Sequence, residues 1–313
     1  MALWILLSGL AATLASGASL WWRHPRWSRP ALLHLNRWAA GLRASQLQVA
    51  GHRLQLLSSR QHDPDDTPVV LLHGLFAEKD HWVDFARALP GRRRLIVPDL
   101  PGFGQSERLD SQRYGYAEQL ERLAALLDAL GIARAHLAGS SMGGALAALF
   151  AQRHPERVAS LAFIGAPHGL RSSRPSPVDR LIDAGQAPLL ARTAAEFDTL
   201  LQRLFARRPW LPYPVLQAAR QEAVARASSN LRLWREHVAD RYLLQQRLAG
   251  LRLPVLALWG RQDQVFDASG AALLKALLPQ AEVRLLEGIG HLPMMEAPAD
   301  CARTYGEFLA GKG

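Results

Sequence analysis

Short apolar runs recur along the chain, and segments with the periodicity of helices separate them. The runs occupy residues 69–72, 94–97, 135–138, 160–164, 254–258 and 283–286. Apolar side chains recur at helical spacing in the intervening residues 116–130, 145–153 and 271–278. Strands that alternate with helices in this way form a mostly parallel sheet with helices on both faces. This alternation constrains the fold more than any other feature, and it predicts an α/β protein.

Two regions depart from the alternation. Residues 46–49 and 53–56 alternate polar and apolar side chains around Ala50-Gly51, which predicts an antiparallel hairpin before the parallel strands. Residues 170–251 contain no strand-like run and have a helical pattern. An insertion of this size after a strand is expected to form a lid or cap.

The chain begins with an apolar segment. Residues 2–22 carry no charged side chain, and as a helix they would rise about 30 Å, close to one hydrocarbon core. Trp4, Trp21 and Trp22 stand near its ends, where interfacial aromatic residues belong. A cleaved signal peptide is the alternative, but the segment lacks the basic n-region of such peptides and is long for their apolar region. The sequence predicts an uncleaved transmembrane anchor.

An amphipathic helix is predicted beyond the anchor. Pro30 can start this helix, and its apolar face would consist of Leu32, Leu35, Trp38 and Leu42. The predicted units are therefore residues 1–44 with the membrane and juxtamembrane helices, core residues 45–169, cap residues 170–251 and core residues 252–313.

Small residues recur at every fourth position of the anchor. They form two rows, which are Ser8, Ala12, Ser16 and Gly9, Thr13, Gly17. Such a stripe lets two helices pack closely, so it predicts a homodimer formed through the anchor.

Arginine supplies most of the net charge of +10, since lysine occurs only at positions 79, 275 and 312. Either a GC-rich genome or attraction to anionic surfaces explains this excess. Nucleic-acid binding is not expected, because no basic run is interleaved with aromatic residues on a recognisable module. The single cysteine, Cys301, rules out an intrachain disulfide. Arginines 23, 26, 29, 37 and 43 follow the anchor, which places the globular part in the cytoplasm by the positive-inside rule.

Two serines lie where the strand that ends near residue 138 is followed by a helix. The stretch 139–143 reads G-S-S-M-G, and only Ser141 has glycine two positions before and two positions after it. A nucleophile elbow requires this pattern, because larger side chains would collide with neighbouring backbone. The N–H groups at the start of the helix could also stabilise an oxyanion. The motif alone is weak, so Ser141 needs partners.

The partners appear in the expected chain order. Asp263 follows a strand after a short turn, and His291 lies in a glycine-rich loop after the next strand. Both positions fall at the carboxyl ends of parallel strands, where open α/β sheets place their sites. Asp267 is the alternative carboxylate, but it lies further from the strand end. A histidine that takes the serine proton and a carboxylate that orients it would complete the site.

A loop upstream of these residues would help to supply the hydrogen-bond donors for the oxyanion. In H-G-L-F, residues 73–76, the amide of Leu75 or Phe76 would be one oxyanion donor and that of Met142 the other. His73 is expected to brace this loop rather than to act as a base. The loop of residues 99–106 is expected to be architectural.

Four stretches carry a family resemblance: H-G-L-F-A-E-K-D-H-W (73–82), G-S-S-M-G-G (139–144), W-G-R-Q-D-Q-V-F-D (259–267) and G-H-L-P-M-M-E-A-P (290–298). In these stretches the chain resembles the α/β-hydrolase superfamily, and the resemblance covers roughly residues 45–310. Within that superfamily it is most similar to the membrane-anchored monoacylglycerol lipases and related bacterial lipases and phospholipases A. The resemblance implies an α/β-hydrolase fold with a helical cap between strands 6 and 7. It also implies Ser141, Asp263 and His291 as the triad, an acyl chain as the group recognised, and neither metal nor cofactor.

The predicted function is hydrolysis of lipid-like esters, namely monoacylglycerol, lysophospholipid or phospholipid, at the cell (inner) membrane. Phe76, Trp210 and Tyr213 are expected to contact the substrate. Because the chain resembles bacterial envelope lipases, a location of the catalytic domain in the periplasm is an alternative to one in the cytoplasm. A non-lipid esterase, a thioesterase, a perhydrolase or a C–C bond hydrolase would share the triad, and a lipid-binding protein without activity is the alternative of another class.

Overall fold

The computed structural model describes residues 2–311, with side chains described for residues 13–25 and 27–311. Within this part, eight strands form one sheet in the order β1-β2-β4-β3-β5-β6-β7-β8. The strands are β1 (Leu42–Val49), β2 (His52–Ser59), β3 (Val69–Leu72), β4 (Leu95–Pro98), β5 (Ala135–Ser141), β6 (Val158–Pro167), β7 (Val255–Gly260) and β8 (Glu282–Leu286). The antiparallel pairs are β1 with β2 and β2 with β4, and the others pair in parallel. The alternation in the sequence thus predicted the sheet correctly.

Helices cover both faces of the sheet. They are α1 (Ala2–Arg23), α2 (Pro25–Ala39), α3 (Val83–Ala88), α4 (Tyr116–Ala129), α5 (Met142–Arg153), α6 (Pro177–Asp183), α7 (Ala194–Leu204), α8 (Tyr213–Ala225), α9 (Ala227–Ala239), α10 (Gly270–Leu277), α11 (Pro293–Glu296) and α12 (Pro298–Ala310). Val70 and Leu72 of β3 pack with residues of α4, α5 and α10, whereas Val69 and Leu71 pack with residues of α3 and α12. A strand buried on both faces reads as a continuous apolar run, which is why the runs were visible in the sequence.

The antiparallel hairpin lies at one edge of the sheet, as predicted. Every residue of β1 is paired with one of β2, and Ala50 and Gly51 join them with φ of 47° and 76°. The strand begins at Leu42, three residues before the predicted start of the core. Leu42 is 1% exposed, so it belongs to the core of the sheet and not to the apolar face of the preceding helix.

The helix before β1 also differs from its prediction. It begins at Pro25 instead of Pro30, and Pro30 lies inside it. Pro25 fits the first turn equally well, since its missing N–H would be unsatisfied there anyway. Leu33 faces the protein with 9% exposure, while Leu35 and Trp38 are 60% and 56% exposed.

Helices α6 to α9 fill the interval between β6 and β7, where no strand was predicted. Ser176 starts α6 with a complete capping box, and the Thr193 hydroxyl accepts a hydrogen bond from the Glu196 N–H at the start of α7. Helix α8 packs against α7 and against α2. The N-terminal helices therefore contact the inserted helical segment directly.

No helix within the described residues is long and apolar enough to cross a membrane. The side chains of Trp4, Ser8, Gly9 and Ala12, on which part of the predicted anchor and most of its small-residue stripe depend, lie outside the described residues.

Candidate active site

Ser141 occupies a strained turn between β5 and α5. Its φ of 53° and ψ of −118° are unfavourable for a residue with a side chain. A Cβ on Gly139 would lie 2.4 Å from the backbone carbon of Gly143, and a Cβ on Gly143 would lie 2.3 Å from the carbonyl oxygen of Leu72. Neither contact is tolerable, so Gly139 lets the turn close on the start of α5 and Gly143 lets it pack against β3. This is the reason for the G-x-S-x-G pattern.

The two neighbouring serines have different surroundings. Ser140 is 0% exposed, and its hydroxyl has no hydrogen-bond partner among the described residues. Ser141 lines a small cavity together with Leu75 and Met142. Its Oγ lies 3.8 Å from the position that a Cβ on Gly74 would take, so the loop after β3 passes close to this hydroxyl.

Asp263 and His291 form a buried pair. Asp263 Oδ2 lies 2.8 Å from His291 Nδ1, and the two side chains are 0% and 3% exposed. The other carboxylate oxygen, Oδ1, accepts hydrogen bonds from the N–H groups of Val265 and Phe266, at 2.8 and 3.0 Å. A carboxylate at Nδ1 keeps the proton on that nitrogen and leaves Nε2 as the acceptor. The carboxylate thus holds the imidazole in one tautomer and one orientation.

Asp267, the alternative carboxylate, points elsewhere. It accepts a hydrogen bond from the Ser269 N–H at 2.9 Å and pairs with Arg174 at 3.4 Å. These contacts lower the pKa of Asp267 against the opposing effect of burial, which is the largest single contribution.

Phe266 links the buried pair to the serine. Its ring centroid lies 5.4 Å from that of His291, and its side chain lines the same small cavity as Ser141. All three predicted residues therefore lie at the carboxyl edge of the sheet, with Phe266 beside both His291 and the cavity of Ser141.

The loop that carries His291 is fastened to the end of α7. The His291 N–H donates to the carbonyl of Leu204 at 2.9 Å. Glu296 accepts from the Gly290 N–H with one oxygen and from the N–H groups of Ala206 and Arg207 with the other, each at 2.9 Å. Burial raises the pKa of Glu296 although these hydrogen bonds favour the carboxylate. This contribution is not apparent from the sequence, because nothing in the local pattern connects Glu296 with a residue 90 positions earlier.

His73 braces the loop after β3, as predicted. Its Nδ1 lies 2.8 Å from the carbonyl of Gly74, and its Nε2 accepts from the Leu100 N–H at 3.0 Å. Burial lowers the pKa of His73, so the ring stays neutral and serves both contacts.

A buried ion pair ties the same loop to the loop after β4. Lys79 donates to Asp99 through Nζ and through its backbone N–H, both at 2.7 Å, and the Gln105 N–H donates to Asp99 at 2.9 Å. A Cβ on Gly104 would lie 2.3 Å from the Asp99 carboxyl group, so the loop closes tightly around this carboxylate. The loop of residues 99–106 is thus anchored by buried hydrogen bonds, and its Phe103 and Gly104 also line a cavity. The structural role of Lys79 was not predicted from the sequence, although a lysine is unusual in this arginine-rich chain.

Two cavities adjoin the loop after β3. The small one, of about 30 Å³, contains Ser141 and also His168 and His237, which sequence analysis did not single out. The large one, of about 170 Å³, is lined by Phe76 and by apolar side chains of α7 and α8. Leu189 borders both cavities, so they are neighbours.

The other two predicted substrate contacts lie at the surface. Trp210 is 80% exposed and Tyr213 is 45% exposed, while Leu211 between them lines the large cavity. The proline-rich segment 209–215 therefore contributes a leucine to the cavity wall and directs these two aromatic side chains outward. No group of three or more metal-ligating side chains is arranged for a metal ion within the described residues.

Known proteins are similar to this chain over most of its length. The family described as alpha/beta hydrolase fold matches residues 67–298. Lipase 1 of Psychrobacter immobilis is 32% identical over 243 residues, which cover 77% of this chain and 76% of that protein. Monoacylglycerol lipase ABHD6 of Mus musculus is 31% identical over 278 residues, which cover 85% of this chain and 82% of that protein.

A solved structure is similar over almost the whole chain. The crystal structure of a membrane phospholipase A, described as a bacterial virulence factor, has a TM-score of 0.88 and 34% identity, with 99% of each chain covered. Because the family match spans more than half of this chain and the related lipases align with three quarters of it or more, the chain belongs to the α/β-hydrolase fold family, as an enzyme of its carboxylic-ester hydrolase branch.

Proposed function

We propose that the protein releases fatty acid from a lipid ester, which is a monoacylglycerol, a lysophospholipid or a phospholipid. The observation that carries this proposal is the buried pair of His291 and Asp263 at the same sheet edge as Ser141 on its strained turn. The names of the related lipases and of the similar phospholipase A support a lipid substrate.

The reaction follows from the roles of these groups. Ser141 Oγ attacks the ester carbonyl carbon while His291 Nε2 takes its proton, and Asp263 stabilises the imidazolium that forms. The N–H groups of Leu75 and Met142 donate to the oxyanion of the tetrahedral intermediate. His291 then gives its proton to the leaving alcohol. Water, activated by the same imidazole, releases the fatty acid from the acyl-enzyme.

The large cavity suits the acyl chain. Phe76 lines it and directly follows the proposed oxyanion donor Leu75 in the chain. Most of the lining is apolar, with Phe197, Leu201, Leu204, Leu211 and Leu216 from the inserted segment, and charged residues such as Arg29, Glu78 and Glu222 also border the cavity. We therefore assign residues 170–251 as the cap that encloses the chain, and burial of methylene groups against these walls would favour binding.

The N-terminal helices suit attachment to a bilayer. Most of the large apolar side chains that are exposed among the described residues lie on α1 and α2, namely Leu14, Leu20, Trp21, Trp27, Leu35 and Trp38. Arg29 and Arg37 are not free to bind lipid, because they pair with Glu78 at 2.9 Å and with Asp80 at 2.6 Å and so hold α2 on the core. Changing Leu14, Leu20 and Leu35 together to serine should lower the amount of enzyme bound to vesicles. Unchanged co-sedimentation with vesicles would contradict this role.

Labelling with a fluorophosphonate tests the reaction itself. Wild type and Ser140→Ala should be labelled and should hydrolyse monoacylglycerol, whereas Ser141→Ala should do neither while keeping the wild-type melting temperature. Folded wild-type protein that is neither labelled nor active on monoacylglycerols, lysophospholipids, phospholipids or p-nitrophenyl esters would favour the lipid-binding alternative. Equal loss of activity in both serine variants would contradict the assignment of Ser141.

A further inference from the structure

A buried histidine without a hydrogen-bond partner lies in the small cavity beside Ser141. His237, in α9, is 2% exposed, and neither of its ring nitrogens hydrogen-bonds to an atom of the described residues. The backbone of Tyr114 lies near enough to affect its pKa but does not reach hydrogen-bonding geometry. Buried polar groups in native proteins usually have a partner, and an exception calls for an explanation. The position of His237 in the cavity wall suggests that its partner is a ligand.

The surroundings connect His237 with the reacting serine. The ring of Tyr116 stands perpendicular to that of His237 at 5.1 Å, and its hydroxyl lies 2.9 Å from His168 Nδ1. The backbone N–H of His168 donates to the carbonyl of Ser141 at 3.1 Å. His237, Tyr116 and His168 thus form a polar cluster on one side of Ser141.

This cluster carries no charge at neutral pH. Burial lowers the pKa of His237 to about 4 and that of His168 to about 3. Arg241, which also lines the cavity, is neutralised by Asp179 and Asp183, each at 2.6 Å. A neutral imidazole offers one N–H donor and one lone pair, which matches an alcohol hydroxyl better than a phosphate.

The size of the cavity agrees with such a group. A water molecule needs roughly 10–15 Å³ of space on this measure. The cavity of about 30 Å³ therefore holds about two water-sized groups, such as a carbon with its hydroxyl. It does not hold a second acyl chain.

We propose that this cavity binds the part of the alcohol nearest the ester bond and that His237 hydrogen-bonds to a free hydroxyl group there. The inference rests on the proposed ester hydrolysis at Ser141. The acyl chain lies in the large cavity, and the alcohol lies on the other side of the reacting carbon, against His237. His237 is then a specificity-determining residue, which selects esters whose alcohol keeps an unesterified hydroxyl near the ester bond.

The test compares esters that differ only in the hydroxyls of the alcohol. One acyl chain is esterified to glycerol, 1,2-propanediol, 1,3-propanediol or 1-propanol, and kcat/KM is measured for each. Loss of a hydroxyl leaves a buried imidazole unpaired, so wild type should prefer the glycerol ester over the propyl ester by about 10- to 100-fold. The two propanediol esters should show which hydroxyl is recognised.

Variants identify the residue responsible. His237→Leu should bring the ratio of the glycerol and propyl esters close to one, and His237→Asn should keep part of the preference because its amide can still hydrogen-bond. His154→Leu, at a surface site after α5, is the matched control and should keep the full ratio.

The outcomes separate this inference from the proposed function. A wild-type ratio near one, or a full ratio in folded His237→Leu, would overturn the role of His237 alone. If His237→Leu does not fold, an unchanged ratio in His237→Asn that still turns over both esters would overturn it in the same way. A wild-type protein that hydrolyses neither the four esters nor lysophospholipid nor phospholipid would overturn the proposed function instead.

Discussion

Replacing Asp263 by asparagine keeps the size of the side chain but changes what it offers to His291. Asp263 Oδ1 accepts two backbone hydrogen bonds, from Val265 and Phe266, while Oδ2 lies 2.8 Å from His291 Nδ1. Asparagine has a single oxygen, and its NH₂ group cannot accept from an N–H. We therefore expect the oxygen to stay on the two backbone N–H groups and the NH₂ group to face His291.

The magnitude follows from the tautomer that this arrangement imposes. An NH₂ group at Nδ1 forces that nitrogen to accept, so the proton moves to Nε2 and the ring can no longer take a proton from Ser141. The same exchange in the serine proteases lowers kcat about 10⁴-fold, which corresponds to about 5.4 kcal/mol. The pair here is buried at 0% and 3% exposure, so water cannot take over the role of the carboxylate. We expect a loss of about 10³- to 10⁴-fold in kcat.

The assay is turnover of p-nitrophenyl butyrate, with the rate of fluorophosphonate labelling as a second measure of Ser141 reactivity and a thermal melt to confirm folding. Asp267→Asn is the matched control. Its carboxylate contacts Ser269 and Arg174, so activity should stay within about threefold of wild type. A loss below about tenfold in folded Asp263→Asn, or an equal loss in Asp267→Asn, would refute the reasoning.

Three more predictions concern the cavity, the core and the pH dependence. Leu216→Trp should fill part of the large cavity and shift the preference in p-nitrophenyl ester assays to shorter acyl chains. Trp210→Ala, at an 80% exposed site, should leave the chain-length profile unchanged. The reverse result would contradict the assignment of the large cavity to the acyl chain. Lys79→Met leaves the Asp99 carboxylate buried without its cation and should reduce the free energy of unfolding by about 3–5 kcal/mol in urea titrations, while Arg303→Met, in an exposed pair, should leave it nearly unchanged. A Lys79→Met loss under about 1 kcal/mol would contradict the importance of that pair. Burial lowers the pKa of several histidines, so below about pH 6.5 the unfolded chain takes up protons before the folded protein does. The free energy of unfolding should therefore fall as the pH drops from about 6.5 towards 4. A constant free energy of unfolding between pH 7 and 4.5 would exclude this effect. These histidines are His81, His136, His168 and His237.

The sequence predicted the sheet and the proposed triad positions because both depend on local rules. A strand buried on two faces must be apolar throughout, and a serine at φ 53° must have small neighbours wherever the backbone approaches. Asp263 and His291 follow their strands directly, so their common edge could be inferred from the parallel order.

The residues that escaped prediction depend on distant contacts. His237 is an ordinary helical residue until α9 packs over the carboxyl edge of the sheet, and Glu296 is one of several acidic residues until the end of α7 reaches it. Trp210 shows the opposite case, because an aromatic residue between prolines suggested a cavity wall but its side chain faces outward. The sequence shows that these polar and aromatic side chains are present, whereas only the tertiary structure shows what each of them faces.

The attachment of α7 to the loop of His291 has a consequence for engineering. Because Glu296 holds the N–H groups of Ala206 and Arg207 as well as that of Gly290, the inserted helices and the histidine loop share one support. A chimaera that exchanges residues 170–251 for the corresponding helices of a relative would therefore disturb the base as well as the acyl cavity. A graft that retains residues 204–207 of this chain keeps this support, so the helices on either side of that stretch can be exchanged without removing the anchor of the histidine loop.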